Sequence, residues 1–269
     1  MTTNNRAPVF HALHKEGLLI LPNAWDAGSA RIVEHAGAKA VATSSAAVAW
    51  SHGYPDGEAI PPEALISTVR EIARVASIPV TADVEAGYTQ DPQAAGDFAA
   101  RIIDAGAVGV NIEDGHDAPE LLCAKIEQVR RAAARSGVDV WINARIDVYL
   151  HKLAEGQAAY DETVRRARLY GEAGANSIFA PGAVDEITIG NLVREVGLPL
   201  NVLAWPGLPD AARLKALGVR RLSAGAGLAK ASLGRTHELA EAFLRDGRSD
   251  PFFEGSFAPV KVNELMRKD

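Results

Sequence analysis

Short apolar runs alternate along this chain with longer stretches in which apolar residues recur at helical spacing. The runs cover residues 18–21, 39–43, 79–85, 109–114, 138–146, 177–180, 198–204 and 221–224. Most are continuous rather than alternating in hydrophobicity and lie beside Gly or Pro, the pattern of a strand covered on both faces. Helical patterns follow over about 26–35, 61–76, from 91 onward, 119–135, 160–173, after Asp185, over 210–217 and over 227–245. Asp26 is a candidate N-cap, Asp91-Pro92 has the cap-then-Pro order of a helix start, and Gly37 marks a stop. A leading helix over 6–16 carries Val9, Phe10 and Leu13 on one side and ends at Gly17. A helix between every pair of strands predicts a parallel sheet, and eight strand–helix pairs are the number that closes it into a (β/α)8 TIM barrel. No low-complexity linker interrupts the rhythm, so residues 1–269 read as a single barrel domain. The tail 249–269 carries Phe252, Phe253, Phe257, Val260, Val262 and Leu265, which predicts packing on a neighbouring subunit.

Composition narrows the function classes. With 269 residues, 48% of them hydrophobic, the chain is long enough for a well-buried core. The 28 basic and 34 acidic residues leave a net charge of −6, and no Lys/Arg cluster stands out, so nucleic acid is not an expected partner. Nowhere do eighteen apolar residues run together, and residues 1–6 show no apolar secretory region, so no membrane is expected. One cysteine excludes an intrachain disulfide framework and a cysteine-based zinc site. The expectation is a soluble cytoplasmic protein that acts on a small molecule.

In a barrel of this kind the site lies at the carboxyl ends of the strands. The predicted strands end in Asn23 and Trp25, Ser44 and Ser45, Asp83 and Glu85, Glu113 and Asp114, Asn143 with Arg145 and Asp147, and Asn201. Any one of these alone reads equally well as the N-cap of the next helix. Asp83 and Glu85 are two apart, so an extended backbone sends both carboxylates out on one face. Glu113-Asp114 closes the next run. Four acids aimed at one spot repel unless a cation, a proton or a basic group lies between them, and a hard divalent ion with oxygen ligands, Mg²⁺ best, answers that need.

Several of these segments together carry a resemblance. Asn23-Ala24-Trp25-Asp26 with Ser29-Ala30-Arg31, Thr43-Ser44-Ser45, Asp83-Val84-Glu85-Ala86-Gly87-Tyr88, Ile112-Glu113-Asp114 and Asn143-Ala144-Arg145 resemble the isocitrate lyase/phosphoenolpyruvate mutase superfamily over about residues 18–229. The resemblance implies a Mg²⁺-dependent barrel, with Mn²⁺ able to take the place of the ion. It also implies a homodimer or homotetramer whose last helix packs on a partner subunit. The implied chemistry makes or breaks a C–C or P–C bond beside a 2-oxo or 2-hydroxy carboxylate. Carried over by motif, Asp83, Glu85, Glu113 and Asp56 hold the metal directly or through water, and Asp83 also touches substrate. Backbone N–H groups near Ser44, Ser45 and Ala46 receive substrate oxygens, while Arg145 and Asn201 hold a carboxylate.

Departures from the superfamily pattern matter as much. The K-[KR]-C-G-H segment of isocitrate and methylisocitrate lyases is replaced by Glu113-Asp114-Gly115-His116-Asp117-Ala118-Pro119, and the Lys- and Asn-bearing gate of the mutases is missing. Cys123 lies in a helical pattern and reads as a buried apolar residue. The sixth strand ends in Ala180-Pro181-Gly182, where mutases place a His and methylisocitrate lyases a Glu. The groups left to move a proton are His116, an imidazole in the loop after the fourth strand, and Tyr88. The leading expectation is a lyase that cleaves a C–C bond of a small 2-oxo or 2-hydroxy carboxylate through an enolate. The alternatives are mutase- or hydrolase-type P–C chemistry, and a 2-oxo acid binding protein with little turnover.

Overall fold

The computed structural model describes residues 3–254 and 261–267. Helix α1 (Thr3–Leu13) precedes β1 (Leu19–Leu21) and β2 (Asn23–Ala24), then α2 (Ala27–His35), β3 (Val41–Thr43), α3 (Ser45–Ser51) and α4 (Pro62–Val75). The alternation continues through β4 (Val80–Asp83), α5 (Pro92–Asp104), β5 (Gly109–Glu113), α6 (Pro119–Ser136), β6 (Trp141–Arg145), α7 (Gly156–Glu172), β7 (Ser177–Phe179) and α8 (Glu186–Glu195). It ends with β8 (Leu200–Leu203), α9 (Ala211–Leu217), β9 (Arg221–Ser223), α10 (Gly227–Asp246) and a short α11 (Val262–Leu265).

All strand pairs are parallel, in the order β1-β9-β8-β7-β6-β5-β4-β3-β2. The nine strands make the eight staves of the predicted barrel. The first stave is broken at Pro22, which has no N–H to give to a ladder. Below the break β1 pairs with β9, above it β2 pairs with β3, and the sheet closes through that bend. The expected caps are present: the Asp26 carboxylate accepts from Ser29 N at 2.6 Å, and that of Asp91 from Gln93 N at 2.9 Å.

Helix α1 plugs the amino-terminal end of the barrel. A Cβ on Gly109 would lie 2.7 Å from the Phe10 ring and 2.8 Å from Thr81 Oγ1, so only glycine lets the plug seat. Beside Phe10, the buried His14 ring stacks on Trp141 at 4.0 Å. Burial, with help from the Arg221 charge, lowers the His14 pKa to about 3.

Two elements differ from the sequence expectation. Residues 45–51 form a helix directly after β3, a stretch to which the sequence pattern assigned no helix, because Ala47, Val48 and Ala49 find a buried face there. The tail does not project wholly onto a neighbour. The Arg31 guanidinium donates from Nε and Nη2 to Leu265 O at 3.1 and 2.9 Å and ties α11 to α2 of its own chain. Phe257 and Val260 lie outside the described residues. Among the described residues no helix is long and apolar enough to cross a membrane.

His14 yields a pH prediction. A histidine whose folded pKa is depressed contributes stability that is present above its unfolded pKa, near 6.5, and lost as pH falls towards about 3. His14→Phe keeps a ring on Trp141 and removes the titration. Between pH 7 and pH 4.5 the wild type should lose roughly 2 kcal/mol more than the variant, measured by chemical denaturation at each pH.

Candidate active site

Side chains from the strand ends enclose a cavity of about 600 Å³ at the carboxyl end of the barrel. Its floor is polar. Trp141 Nε1 donates to Ser177 Oγ at 2.7 Å, Ser177 Oγ donates to Asn143 Oδ1 at 2.6 Å, and Asn143 Nδ2 donates to Asn111 Oδ1 at 2.9 Å. Fully buried Arg221 donates from Nη2 to the same Asn111 oxygen at 3.1 Å. Its Nε and Nη1 have no hydrogen-bond partner among the described residues. Burial lowers its pKa to about 9 against the raising effect of Asp83, so the guanidinium stays charged at neutral pH.

Asp83 ends β4 above that floor and lines the cavity. Its backbone N–H donates to Thr43 Oγ1 at 2.8 Å, and its Oδ2 accepts from Ser45 N at 3.1 Å. Oδ1 is buried without a hydrogen-bond partner among the described residues. A bare carboxylate oxygen in such surroundings calls for a cation, a proton or water. The Ser45 amide, expected to receive a substrate oxygen, is instead engaged by Asp83.

Glu85 does not stand beside Asp83 on one strand face. The strand stops at Asp83, and Glu85 takes a left-handed φ of +50°, so the two-residue alternation ends before reaching it. Its Oε1 accepts from Tyr88 OH at 2.9 Å and its Oε2 from Glu58 N at 2.7 Å, while Glu58 Oε1 accepts from Tyr88 N at 2.6 Å. This lattice of bonds joins the segment carrying Asp56 to the loop after β4. Buried Lys125 secures the loop from below, donating to Ala86 O at 2.7 Å. Burial raises the Glu85 pKa to about 7, opposed by the Tyr88 and Glu58 hydrogen bonds.

Glu113 and Arg145 meet at 2.5 Å (Oε2 to Nη1), and Arg145 Nε donates to Asp147 Oδ1 at 2.7 Å. Burial alone would lower the arginine pKa, but Glu113, Asp147 and Asp83 carry it above the ordinary value. Arg145 lines the cavity; Glu113, next to it, does not. Asp114 departs from the four-acid arrangement altogether. It accepts from Arg166 Nη1 at 2.8 Å, Tyr170 OH at 2.6 Å and the Asp147 amide at 3.0 Å, all on the side away from the cavity. Arg166, unnoticed in the sequence, neutralises it, and Tyr170, also unnoticed, adds a hydrogen bond.

Ser44, Ser45, Ala46 and exposed Asp56 line the cavity, as expected. Asn201 lies fully buried outside the lining, where its Oδ1 accepts from Ser223 Oγ at 3.3 Å. Neither proton-transfer candidate lines the cavity. His116 is exposed against His151, with ring centroids 4.4 Å apart, and Tyr88 is committed to Glu85. Half-buried Cys123 has its thiol pKa raised, chiefly by burial, and so is not activated. The sequence reading missed Asn111 and Lys230. Asn111 had a signal, since a polar residue inside an apolar strand run needs a partner; Lys230 had none.

Among the described residues no three His, Cys, Asp or Glu side chains are grouped closely enough to enclose a metal ion. Mg²⁺ does not demand such a cage. It keeps several waters and binds through one or two carboxylates plus ligand oxygens. Asp83 with its bare Oδ1 fits that donor set, with Asp56 also on the cavity wall.

Residues 10–244 match the phosphoenolpyruvate phosphomutase family. An uncharacterized protein of Mycobacterium tuberculosis is 35% identical over 91% of this chain and 93% of its own. The probable 2-methylisocitrate lyase 2 of Corynebacterium glutamicum is 30% identical over 74% of this chain and 66% of its own. Among solved structures, a Burkholderia cenocepacia J2315 protein provisionally assigned as a lyase/mutase is 33% identical with a TM-score of 0.90, covering 99% of this chain and 97% of that one. In fold alone, a phosphonopyruvate hydrolase complexed with oxalate and Mg²⁺ matches at TM-score 0.82 and 24% identity, over 98% of this chain and 95% of that one.

The different states of the acids yield a stability prediction. Asp114→Ala strips a buried arginine and the Asp147 amide of their acceptor and should cost about 3 kcal/mol. Asp83→Asn keeps an acceptor for the Ser45 amide but weakens the counter-charge to buried Arg221, and should cost less than Asp114→Ala does. Denaturant midpoints of the two variants against wild type provide the measurement.

Proposed function

The chain belongs to the phosphoenolpyruvate phosphomutase family, and from that premise we propose a Mg²⁺-dependent lyase that cleaves a C–C bond of a small 2-oxo or 2-hydroxy carboxylate through an enolate. The observation that carries the reading is the buried, unpartnered Oδ1 of Asp83 on the wall of a cavity that also holds Arg145. Asp83 would hold the metal directly, and Asp56, the other acid on the cavity wall, would act through water, while Glu85 and Glu113, expected as further ligands, stand behind the wall and hold the Glu58 segment and Arg145 in place. When bound, Mg²⁺ supplies Lewis-acid stabilisation of negative charge on adjacent oxygens of the substrate. The complex of the hydrolase neighbour with oxalate and Mg²⁺ is a fold-level precedent for such a ligand.

The chain's own residues would divide the remaining work. Arg145 is oriented by Glu113 through Nη1 and by Asp147 through Nε, which leaves Nη2 to grip the substrate carboxylate. The Ser45 amide fixes the Asp83 carboxylate through Oδ2 and so aims Oδ1. Ser44 and Ala46 supply the adjoining wall, and Asn201 supports it through Ser223. One observation favours a second reading, a 2-oxo acid binding protein with slow turnover: neither His116 nor Tyr88 lines the cavity.

The proposed assembly is a homodimer or homotetramer. Helix α10 buries only Ala229 and leaves Leu233 53% and Leu244 85% exposed. Beside it a groove of about 1060 Å³ runs along α2, lined by Ile20, Ile32, Val33, Leu228 and Ala231 among others. An exposed apolar face of this kind marks an interaction site, and a second copy's α10 would cover it.

Purified protein with Mg²⁺ and a panel of 2-oxo and 2-hydroxy acids should release pyruvate, glyoxylate or CO₂. Mg²⁺-dependent thermal stabilisation without release supports the binding reading. Asp83→Ala should abolish metal-dependent ligand binding, and its retention would remove the proposed role. Arg145→Lys should weaken carboxylate affinity at least about tenfold with the fold kept, as read by calorimetry and circular dichroism. Light scattering should give a dimer or tetramer for wild type and a smaller species for Leu233→Lys with Leu244→Glu.

A further inference from the structure

The two sides of the cavity differ in chemistry. β4 and β8 stand four staves apart in the ring of eight, so Leu203 at the end of β8 lies across the mouth from Asp83 at the end of β4. Next to β8, Phe179 ends β7 in register with Arg145. Pro181 follows it, and Leu150 reaches the same side from the loop after β6. This apolar side is a fixed wall. Gly182 has φ +84°, and a Cβ there would lie 3.0 Å from Leu150 N, so the loops carrying Pro181 and Leu150 pack backbone against backbone.

Charge is confined elsewhere. The charged residues lining the cavity are Asp56, Asp83, Arg145 and Lys230. The first three lie on the β3–β6 side, and Lys230 stands exposed at the mouth, one turn into α10. The cavity, open to solvent at its mouth, is also far larger than a three-carbon acid requires. About 600 Å³ is on the order of twenty times the ~30 Å³ share of one liquid water. Among the described residues this wall carries no charged side chain, and Trp205, its one side-chain donor, is half exposed; such a surface rewards apolar groups and rejects a buried charge.

We propose that this site takes 2-oxo or 2-hydroxy acids whose distal carbon carries a bulky apolar group, branched alkyl or aryl, seated against Leu150, Phe179, Pro181 and Leu203. The inference rests on the proposed function for the head of the substrate and adds the identity of its arm.

Calorimetric titration of the full chain with Mg²⁺ tests arm and head separately. Oxalate and pyruvate probe the head; 2-oxobutyrate, 4-methyl-2-oxopentanoate and phenylpyruvate extend the arm; 2-oxoglutarate ends its arm in charge. Affinity should rise about fourfold per buried methylene, reaching at least about tenfold over pyruvate with 4-methyl-2-oxopentanoate. 2-Oxoglutarate should bind no more tightly than pyruvate. In Leu203→Asp the gain should vanish, so that 4-methyl-2-oxopentanoate and pyruvate bind alike. Oxalate binding with flat affinities along the series, or with 2-oxoglutarate held more tightly than 4-methyl-2-oxopentanoate, overturns the apolar arm and leaves the head site standing. Failure of oxalate and of every acid to bind with Mg²⁺ overturns the proposed function and this inference together.

Discussion

Negative charge crowds the open end of this barrel, and the cost of burying it organises the surrounding structure. Asp83, Glu85, Asp114 and Asp147 are buried there, with Glu113 nearly so. A carboxylate taken from water is costly unless it is paired, hydrogen-bonded or protonated. Each acid meets that condition differently. Asp114 has Arg166 and Tyr170, Glu113 and Asp147 share Arg145, and Glu85 combines two hydrogen bonds with a pKa raised to about 7. Asp147 Oδ2 and Glu113 Oε2 also lack a hydrogen bond among the described residues, but both lie beside Arg145 and off the cavity wall; of these acids Asp83 alone carries its bare oxygen on that wall, with buried Arg221 as a counter-charge below. That asymmetry distinguishes the proposed metal ligand from its neighbours.

The scaffold holds this charge pattern by rigid means. The polar chain from Trp141 through Ser177 and Asn143 to Asn111 occupies the barrel interior, where each member has a hydrogen-bond partner. Satisfied buried networks of this kind specify one arrangement of the side chains above them. Asn23 adds a clamp at the seam: its Nδ2 donates to Thr43 O at 2.7 Å, and its Oδ1 accepts from Gly225 N at 2.8 Å. It thus ties the stave broken at Pro22 to both of its neighbours, at the level of the cavity. The opposite side needs no such network, because Phe179, Pro181 and Leu203 present nothing to satisfy.

The barrel itself was legible in the chain because its cause is local. Buried parallel strands must be apolar throughout, helices must announce their ends with caps, Pro and Gly, and eight such pairs leave one closed architecture. Strand ends were legible for the same reason, and with them Asp83, Arg145 and Ser44 to Ala46 as cavity residues. The error over Glu85 was one of extrapolation, since alternation holds only while the strand continues, and the chain turns left-handed at that residue. The short helix after β3 and the docking of α11 on α2 depend on surfaces far away in sequence.

Sequence alone therefore determined the order of elements, the end of the barrel that carries chemistry and the family to which the motifs belong. Only the tertiary structure decided which acids are neutralised and which remains open: Tyr88 and Arg145 are near neighbours of Glu85 and Asp147 in the chain, but Arg166 and Tyr170 reach Asp114, Arg145 reaches Glu113 and Arg221 lies under Asp83 from other staves and helices. Arg166 is 52 residues from Asp114, and Arg221 is 110 from Asn111. Pairing at such separations is set by barrel closure and register, and no local pattern in the chain records it. The same holds for the apolar wall: hydrophobicity can be read at each residue, but the cavity it faces exists only once the staves have met.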